Sequence, residues 1–387
     1  MRGCITRRAD GTYAAVIELS RGPDGRRRHK WFGGYRTRKE AQTRLTELMH
    51  ELQANTFVAP TKMTVAEYLR RWLTESATHR LSGKSFERTQ CIVERHLIPE
   101  LGGYRLADLR PLHVQAYLTG ARKAGRKNGS GGLAGATLLK HFEVLHSALG
   151  QAVRWELIAR NPADAVDRPR IDKRPGQAIR ALSADEVAGL LAAAVDTRLY
   201  APIIVAVTTG LRRGELLALR WSDLDLEKAT LSVNRALEET GAGVAFKAPK
   251  TARSRRTMPL AQVTVQALRA HHRAQAQLKL ALGPAYADQD LVFATPEGAV
   301  WYPTNFSRAF RTFKARHSYS FRFHDLRHTH ASLLLAQGAH VKVVQERLGH
   351  ASVTMTMDTY SHLLPGVQEA AVERFDAALA KVLDPAR

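Results

Sequence analysis

Seven residues, Pro169-Arg170-Ile171-Asp172-Lys173-Arg174-Pro175, set the strongest constraint on what this chain can fold into. Each proline fixes its own φ, lacks an N–H and biases the residue before it away from helix. No helix or central strand runs through such a segment, so the 387 residues must build separate cores on its two sides. A second change of pattern falls near residue 60, where short alternating segments give way to helical stripes. The sequence predicts a multidomain chain, mainly α with small β-sheets, divided as residues 1–60, 61–172 and 173–387.

In the first region Tyr13, Ala15, Ile17 and Leu19 alternate with smaller or polar residues, as in a half-buried strand. Gly22-Pro23-Asp24-Gly25 marks a turn, and Arg26, Arg27, Arg28, His29, Lys30, Trp31 and Phe32 read as a basic second arm. Thr37 caps a helix carrying Ala41, Leu45, Leu48 and Leu52 at helical spacing. The expected product is a three-stranded sheet backed by one helix, with basic outward residues suited to a major groove. The second region opens on a capping box, Thr64 to Glu67, followed by the stripe Val65, Tyr68, Leu69, Trp72 and Leu73. Helices are predicted near Lys84–Leu97, Pro111–Ala124 and Ala134–Trp155, with Arg126 and Lys127 in a basic glycine-rich loop. The third region predicts helices at Leu211–Leu219, Val263–Leu282, Thr304–Arg316, Leu326–Ala336, Lys342–Leu348 and Gln368–Val382. One short sheet is expected there, from Ala229–Val233, Val244–Phe246 and Arg255–Pro259, with a further strand at Leu291–Ala294.

Charge narrows the partners. Lys and Arg number 58 against 36 acids, a net +22 spread as +6 over 1–60, +9 over 61–175 and +7 over 176–387. A charged tail would concentrate the excess; a protein lying along a polyanion spreads it. Cys4 and Cys91 make neither a disulfide framework nor a zinc knuckle, which fits a reducing cytoplasm. The N-terminus has no apolar signal core, and the longest apolar run, Tyr200 to Val207, is too short to span a bilayer.

Chemistry concentrates in the third region. Thr209-Gly210-Leu211-Arg212-Arg213-Gly214-Glu215 stands upstream, then His324-Asp325-Leu326-Arg327, Leu348-Gly349-His350, and Tyr360 within Asp358-Thr359-Tyr360-Ser361-His362. Arginine forks phosphate oxygens, histidine moves protons near neutrality, and tyrosine can carry a phosphoryl group as a covalent intermediate. Glu215, three residues after Arg212, could orient that arginine or a neighbour through a hydrogen bond. A free phenol is a poor nucleophile at pH 7, and nearby arginines and a histidine would lower that barrier. His324 and His328 stand at i, i+4 as in zinc helices, but Asp325 replaces the expected glutamate and no third ligand follows, so no metal and no cofactor is expected. No Walker loop is present.

On these boxes the chain resembles the tyrosine recombinase, or phage integrase, family from about residue 180 to 365. The resemblance implies catalysis by Arg212, Lys250, His324, Arg327, His350 and Tyr360, with Lys250 in Pro249-Lys250-Thr251 as acid toward the leaving 5′ oxygen. Lys250 would sit at a hairpin tip, with Lys247 its rival. The implied activity is site-specific cleavage and rejoining of DNA through a 3′-phosphotyrosine, without metal or ATP. The implied layout is an arm-type DNA-binding domain, a helical SAM-like core-binding domain, and a catalytic domain with a C-terminal tail helix. Arg26, Arg27, Arg28, Lys30, Arg126 and Lys127 would contact DNA. Implied partners are double-stranded DNA attachment sites, further copies forming a tetramer on DNA, a host DNA-bending protein and an excisionase, with no membrane and a nucleoid location. A type IB topoisomerase-like relaxing enzyme and a non-catalytic DNA-binding protein are the alternatives.

Overall fold

A computed structural model of the chain describes residues 3–19, 28–53, 62–126, 129, 131–171, 180–248 and 255–360, with a few positions beyond 371. The protein forms two compact units, Met1–Lys173 and Arg174–Arg387. Among the described residues no helix is long and apolar enough to cross a membrane.

The first unit opens with three antiparallel strands, β1 (Gly3–Arg7), β2 (Tyr13–Leu19) and β3 (Arg28–Tyr35), in the order β1-β2-β3. Helix α1 (Arg38–Gln53) covers one face, where Leu45 and Leu48 meet Ala15 and Ile17. Directly paired residues share a face. Lys30 pairs with Ile17 and is therefore on the helix side, half-buried, while Trp31 pairs with Val16 on the open side and stands exposed. Lys30 thus does not point outward, and the side chain of Arg28 lies outside the described residues. Arg26, Arg27 and Lys127 lie outside the described residues, and Arg126 is exposed.

The helical part begins at α2 (Val65–Trp72), where Thr64 and Glu67 form the expected reciprocal cap. α2 runs on through a π turn at Leu73–Ala77, where the Thr78 hydroxyl donates to the Leu73 carbonyl at 2.8 Å. α3 (Gly83–Ile92) widens in the same way at Val93–Leu97 before continuing to Leu101, so the predicted Lys84–Leu97 helix is longer and irregular. α4 (Pro111–Ala124) and α5 (Gly135–Arg154) complete the bundle. Tyr68, Leu69, Trp72, Leu145, Ala148 and Leu149 form the centre of its core.

The second unit is built around α7 (Tyr200–Thr209), which follows α6 (Ala184–Ala194). α7 is apolar on every side and buried almost throughout, as such a helix must be. After α8 (Arg213–Leu217) come β4 (Leu224–Asp225), β5 (Thr230–Val233), β6 (Ala236–Thr240), β7 (Gly243–Lys247) and β8 (Arg256–Pro259). These make two sheets rather than the single one expected: β4-β5-β8 and a separate hairpin β6-β7. The strands on either side of the segment carrying Lys250, β7 and β8, belong to different sheets and do not pair as the expected hairpin. Lys250 itself lies outside the described residues. Lys247 is ion-paired with Glu238 across β6-β7. α9 (Gln262–Leu282), α10 (Pro303–Arg316), α11 (Asp325–Ala336), α12 (Val341–Leu348) and α13 (Val353–Tyr360) follow. The strand expected at Leu291–Ala294 is reduced to isolated bridges, Arg220 to Leu291 and Ala294 to Val300. Of the predicted tail helix Gln368–Val382, Val372, Phe375 and Leu379 are exposed and most of the rest lies outside the described residues.

Candidate active site

Four stretches far apart in sequence meet in the second unit, three of them at helix ends and one at the start of a strand. The first is the exit of α7. Gly210 adopts a left-handed conformation, φ 67°, where an added Cβ would lie 2.7 Å from Leu348 and 2.8 Å from His330. Glycine is required for both the turn and the close approach. The chain then extends through Arg212, which is the N-cap of α8 and not a residue of the predicted Leu211–Leu219 helix. Glu215 reaches back to the Arg212 N–H at 3.0 Å and accepts from its Nη1 at 2.8 Å. The Glu215 carboxylate, accepting from both the backbone and the side chain of Arg212, couples the two at the helix start rather than along a shared helical face.

Glu215 holds a second cation as well. Arg256, at the start of β8, donates from Nη2 to its Oε2 at 2.9 Å and from Nε to the Arg347 carbonyl at 2.7 Å. Both side chains are more than nine-tenths buried. Burial opposes ionisation of Glu215, but the bonds and charges of Arg256 and Arg212 outweigh it and lower its pKa. The sequence reading missed Arg256. Strand alternation offered a signal, since Arg256 shares a face of β8 with the buried Met258.

The third stretch is α11. Arg327 is buried at 3% exposure, and its guanidinium donates to the Gly210 carbonyl at 2.7 Å and the Leu348 carbonyl at 2.6 Å. Burial, then the Arg212 charge, push its pKa down to about 9, still above neutrality, so it stays cationic at pH 7. His324 is the N-cap of this helix, and its ring meets that of His328 edge-on at 5.2 Å. Partial burial and Arg327 lower the His324 pKa. His330 is the structural member of the group. Its Nδ1 donates to the Val207 carbonyl at 2.9 Å, and burial pushes its pKa down to about 3.

The fourth stretch runs from α12 to α13. α12 ends at Gly349, also left-handed, φ 64°, whose carbonyl accepts from Arg212 Nη2 at 3.3 Å. His350 follows, buried, with its Nδ1 2.9 Å from the Thr356 hydroxyl. Burial, then Arg327, hold its pKa down at about 4. Tyr360 ends α13 at 1% exposure, with its hydroxyl 2.9 Å from His328 Nδ1. Burial raises the phenol pKa to about 12, against an opposing pull from Arg327. The expected lowering does not occur in this state, because desolvation outweighs the neighbouring cation.

The structure therefore brings Arg212, Glu215, His324, Arg327, His350 and Tyr360 together and adds Arg256 and His328. Glu215 pairs with Arg212 and Arg256 while Arg327 donates to carbonyls, an excess of positive charge suited to a phosphate diester and to the charge it gains on attack. A groove of about 760 Å³, lined by Arg255, Arg256, Lys342, Arg347, Gly349 and His350 among others, opens beside these residues. Among the described residues no group of three or more His, Cys, Asp or Glu side chains is placed to hold a metal ion.

Known proteins resemble this chain in sequence and in fold. The pattern of the phage integrase family matches residues 180–366, that of the phage integrase N-terminal SAM-like domain residues 64–120, and that of the arm DNA-binding domain residues 6–52. The chain is 26% identical over 378 residues to a tyrosine recombinase XerC-like protein of Caldanaerobacter subterraneus, covering 93% of this chain and 95% of the relative. It is 30% identical over 253 residues to the ICEBs1 integrase of Bacillus subtilis, covering 64% of this chain and 67% of that protein. In fold it matches the Tn1549 transposon integrase solved with circular intermediate DNA, with TM-score 0.65, 21% identity and coverage of 81% and 99%. It also matches the lambda integrase tetramer bound to a Holliday junction, with TM-score 0.56, 22% identity and coverage of 90% and 96%.

Proposed function

Because the chain belongs to the phage integrase family and is a site-specific integrase that cleaves and rejoins DNA, we propose that Tyr360 is its nucleophile and that the reaction runs through a 3′-phosphotyrosine. The observation that carries this reading is the burial of Tyr360 within reach of the Arg327 charge, in a site where the Arg212 and Arg327 guanidinium groups are tied to the Gly349, Gly210 and Leu348 carbonyls beside His350. Tyr360 attacks phosphorus, the bond to the 5′ oxygen breaks, and the strand is left with a free 5′ hydroxyl. Arg212 and Arg327 hold the non-bridging oxygens, which gain charge in the transition state. His350 donates a further hydrogen bond to them, and His324 acts beside the phosphate. Lys250 protonates the leaving oxygen. Glu215 and Arg256 fix Arg212. The covalent link conserves the energy of the broken bond, so rejoining needs neither nucleotide nor metal.

The same reading divides the labour along the chain: residues 1–60 bind arm-type sites, 61–172 grip the core site, and 173–387 carry the chemistry. Exchange of four strands requires four such sites, and the lambda integrase tetramer on a Holliday junction supplies the precedent for self-association on DNA. An excisionase and a host DNA-bending protein would set direction on cytoplasmic, nucleoid DNA. Tyr360→Phe should bind a core site normally and form no covalent adduct on a substrate nicked beside the cleavage point. An adduct of undiminished yield would sink the assignment.

A further inference from the structure

We propose that His328 takes the proton from Tyr360 as the phenol attacks phosphorus; this rests on the reading of Tyr360 as the nucleophile. His328 Nδ1 lies 2.9 Å from the Tyr360 hydroxyl, inside the range for direct proton transfer. The two residues come from different helices, α11 and α13, so the contact exists only in the folded site. His328 follows Arg327 directly, which places the base next to the cation that holds the phosphate. His324, one turn earlier, packs edge-on against the His328 ring and steadies it.

The protonation states agree with the geometry. Burial, then the neighbouring His324, lower the His328 pKa to about 4, with Asp325 pulling the other way and Arg327 and Arg322 adding to the lowering. At neutral pH the ring is uncharged. With the phenol as donor, Nδ1 is the acceptor and Nε2 carries the ring proton. Full ionisation of the phenol beforehand would be steeply uphill, since Tyr360 is raised to about 12. Two changes remove that obstacle during reaction. An incoming phosphate anion favours the protonated imidazole, and the phenol becomes more acidic as its oxygen bonds to phosphorus. The proton passes from Oη to Nδ1 while the O–P bond forms and the P–O5′ bond breaks. The electron pair of that bond leaves on the 5′ oxygen, which takes its own proton from the leaving-group side. In rejoining, a 5′ hydroxyl attacks the phosphotyrosine and imidazolium returns the proton to Tyr360.

The test uses the full chain on nicked core-site duplexes that trap the adduct, one with the natural bridging 5′ oxygen and one with sulfur in its place. Sulfur departs without needing a proton, so it relieves a defect on the leaving side and not one at the nucleophile. His328→Ala should bind DNA as the wild type does and form adduct about 100-fold or more slowly on both duplexes. His328→Asn keeps a hydrogen-bonding group near the same place but offers no base, and should stay as slow. The proposal is overturned by an alanine variant of near wild-type rate, by recovery with sulfur, or by recovery in His328→Asn, which would leave only a positioning role. Thermal melting checks that each variant is folded, and the asparagine variant carries the test if alanine is not. Tyr360→Phe runs in parallel: full adduct there would remove the nucleophile reading itself, whereas a silent Tyr360→Phe beside a fast His328→Ala removes only the role of His328.

Discussion

The helical bundle of the first unit and the catalytic part of the second bury different things. In the bundle the buried polar side chains are Ser76, Thr89, His141 and Asn161, and the centre is the continuous apolar cluster around Tyr68 and Leu145. The second unit has an apolar cluster too, around α7, but at its edge it buries Glu215, Asp325, Arg327, His330, Gln345 and His350. Charged groups leave water at a cost that bonds and neighbouring charges must offset. Here Glu215 offsets Arg212 and Arg256, while Arg327 is satisfied by carbonyls at two helix ends. The contrast teaches where this protein spends stability: under the proposed division of labour, the grip on DNA is hung on an ordinary packed core, and the chemistry is held by desolvated charge suited to a phosphate.

The comparison can be broken most forcefully at Arg327. Arg327→Ala should raise the barrier to cleavage by about 3–4 kcal/mol, the scale for losing one preorganised donor to a developing oxyanion. Binding should change far less, because many other cations hold the DNA. Single-turnover cleavage set against gel-shift affinity checks this, and equal losses would make Arg327 a mere phosphate anchor. In the other region, Leu145→Ala should cost about 2–5 kcal/mol of stability through a cavity in the bundle core. Denaturant unfolding should place that loss in the first unit, with no specific effect on the chemical step in protein that remains folded.

Acid should separate the units more gently. Folding lowers the pKa of His330 to about 3 and of His350 to about 4 from an ordinary 6.5. The unfolded chain therefore binds more protons below 6.5, and stability falls as pH drops through that window. Each fully differential histidine contributes up to about 1.4 kcal/mol per pH unit. His141, held down at about 4 by burial, acts the same way in the bundle, but alone there among the described residues with so low a value. Melting of the full chain from pH 7 to 5 should show the second unit losing more. A smaller effect is expected at Gly210→Ala, where φ is positive and the new methyl meets Leu348 and His330. About 1–2 kcal/mol of destabilisation, read by melting, should come with slower cleavage, since the Gly210 carbonyl aims Arg327.

Much of this was legible in the sequence, for local reasons. Gly210 and Gly349 stand at helix exits, the Thr64–Glu67 box announces a helix start, and the apolar run from Tyr200 to Val207 falls within the buried helix α7. The boxes around Arg327 and His350 sit at such ends and fall on the elements expected for them, whereas Arg212 moved from a helix to its cap and the helix ending at Tyr360 was not foreseen. What stayed hidden depends on pairing across distance. Nothing local says that β7 joins β6 while β8 joins β5, and the single-sheet expectation failed there. Arg256 was masked by its arginine neighbours Arg253 and Arg255. His328 was weighed only as a zinc ligand with His324, because its true partner is 32 residues away on another helix. α13 was missed because Val353, Thr354, Thr356 and Thr359 favour helix poorly; Ser352 starts it by accepting from the Met355 N–H at 3.2 Å.

The central claim is that the site closes on one phenol. Trapping the adduct on a nicked core site, digesting it and sequencing the nucleotide-bearing peptide by mass spectrometry tests it most directly. The account predicts a single modified residue, Tyr360, joined to a 3′ phosphate. A phosphate carried by Tyr302, Tyr319, Tyr200 or a histidine, or a 5′ linkage, would contradict it.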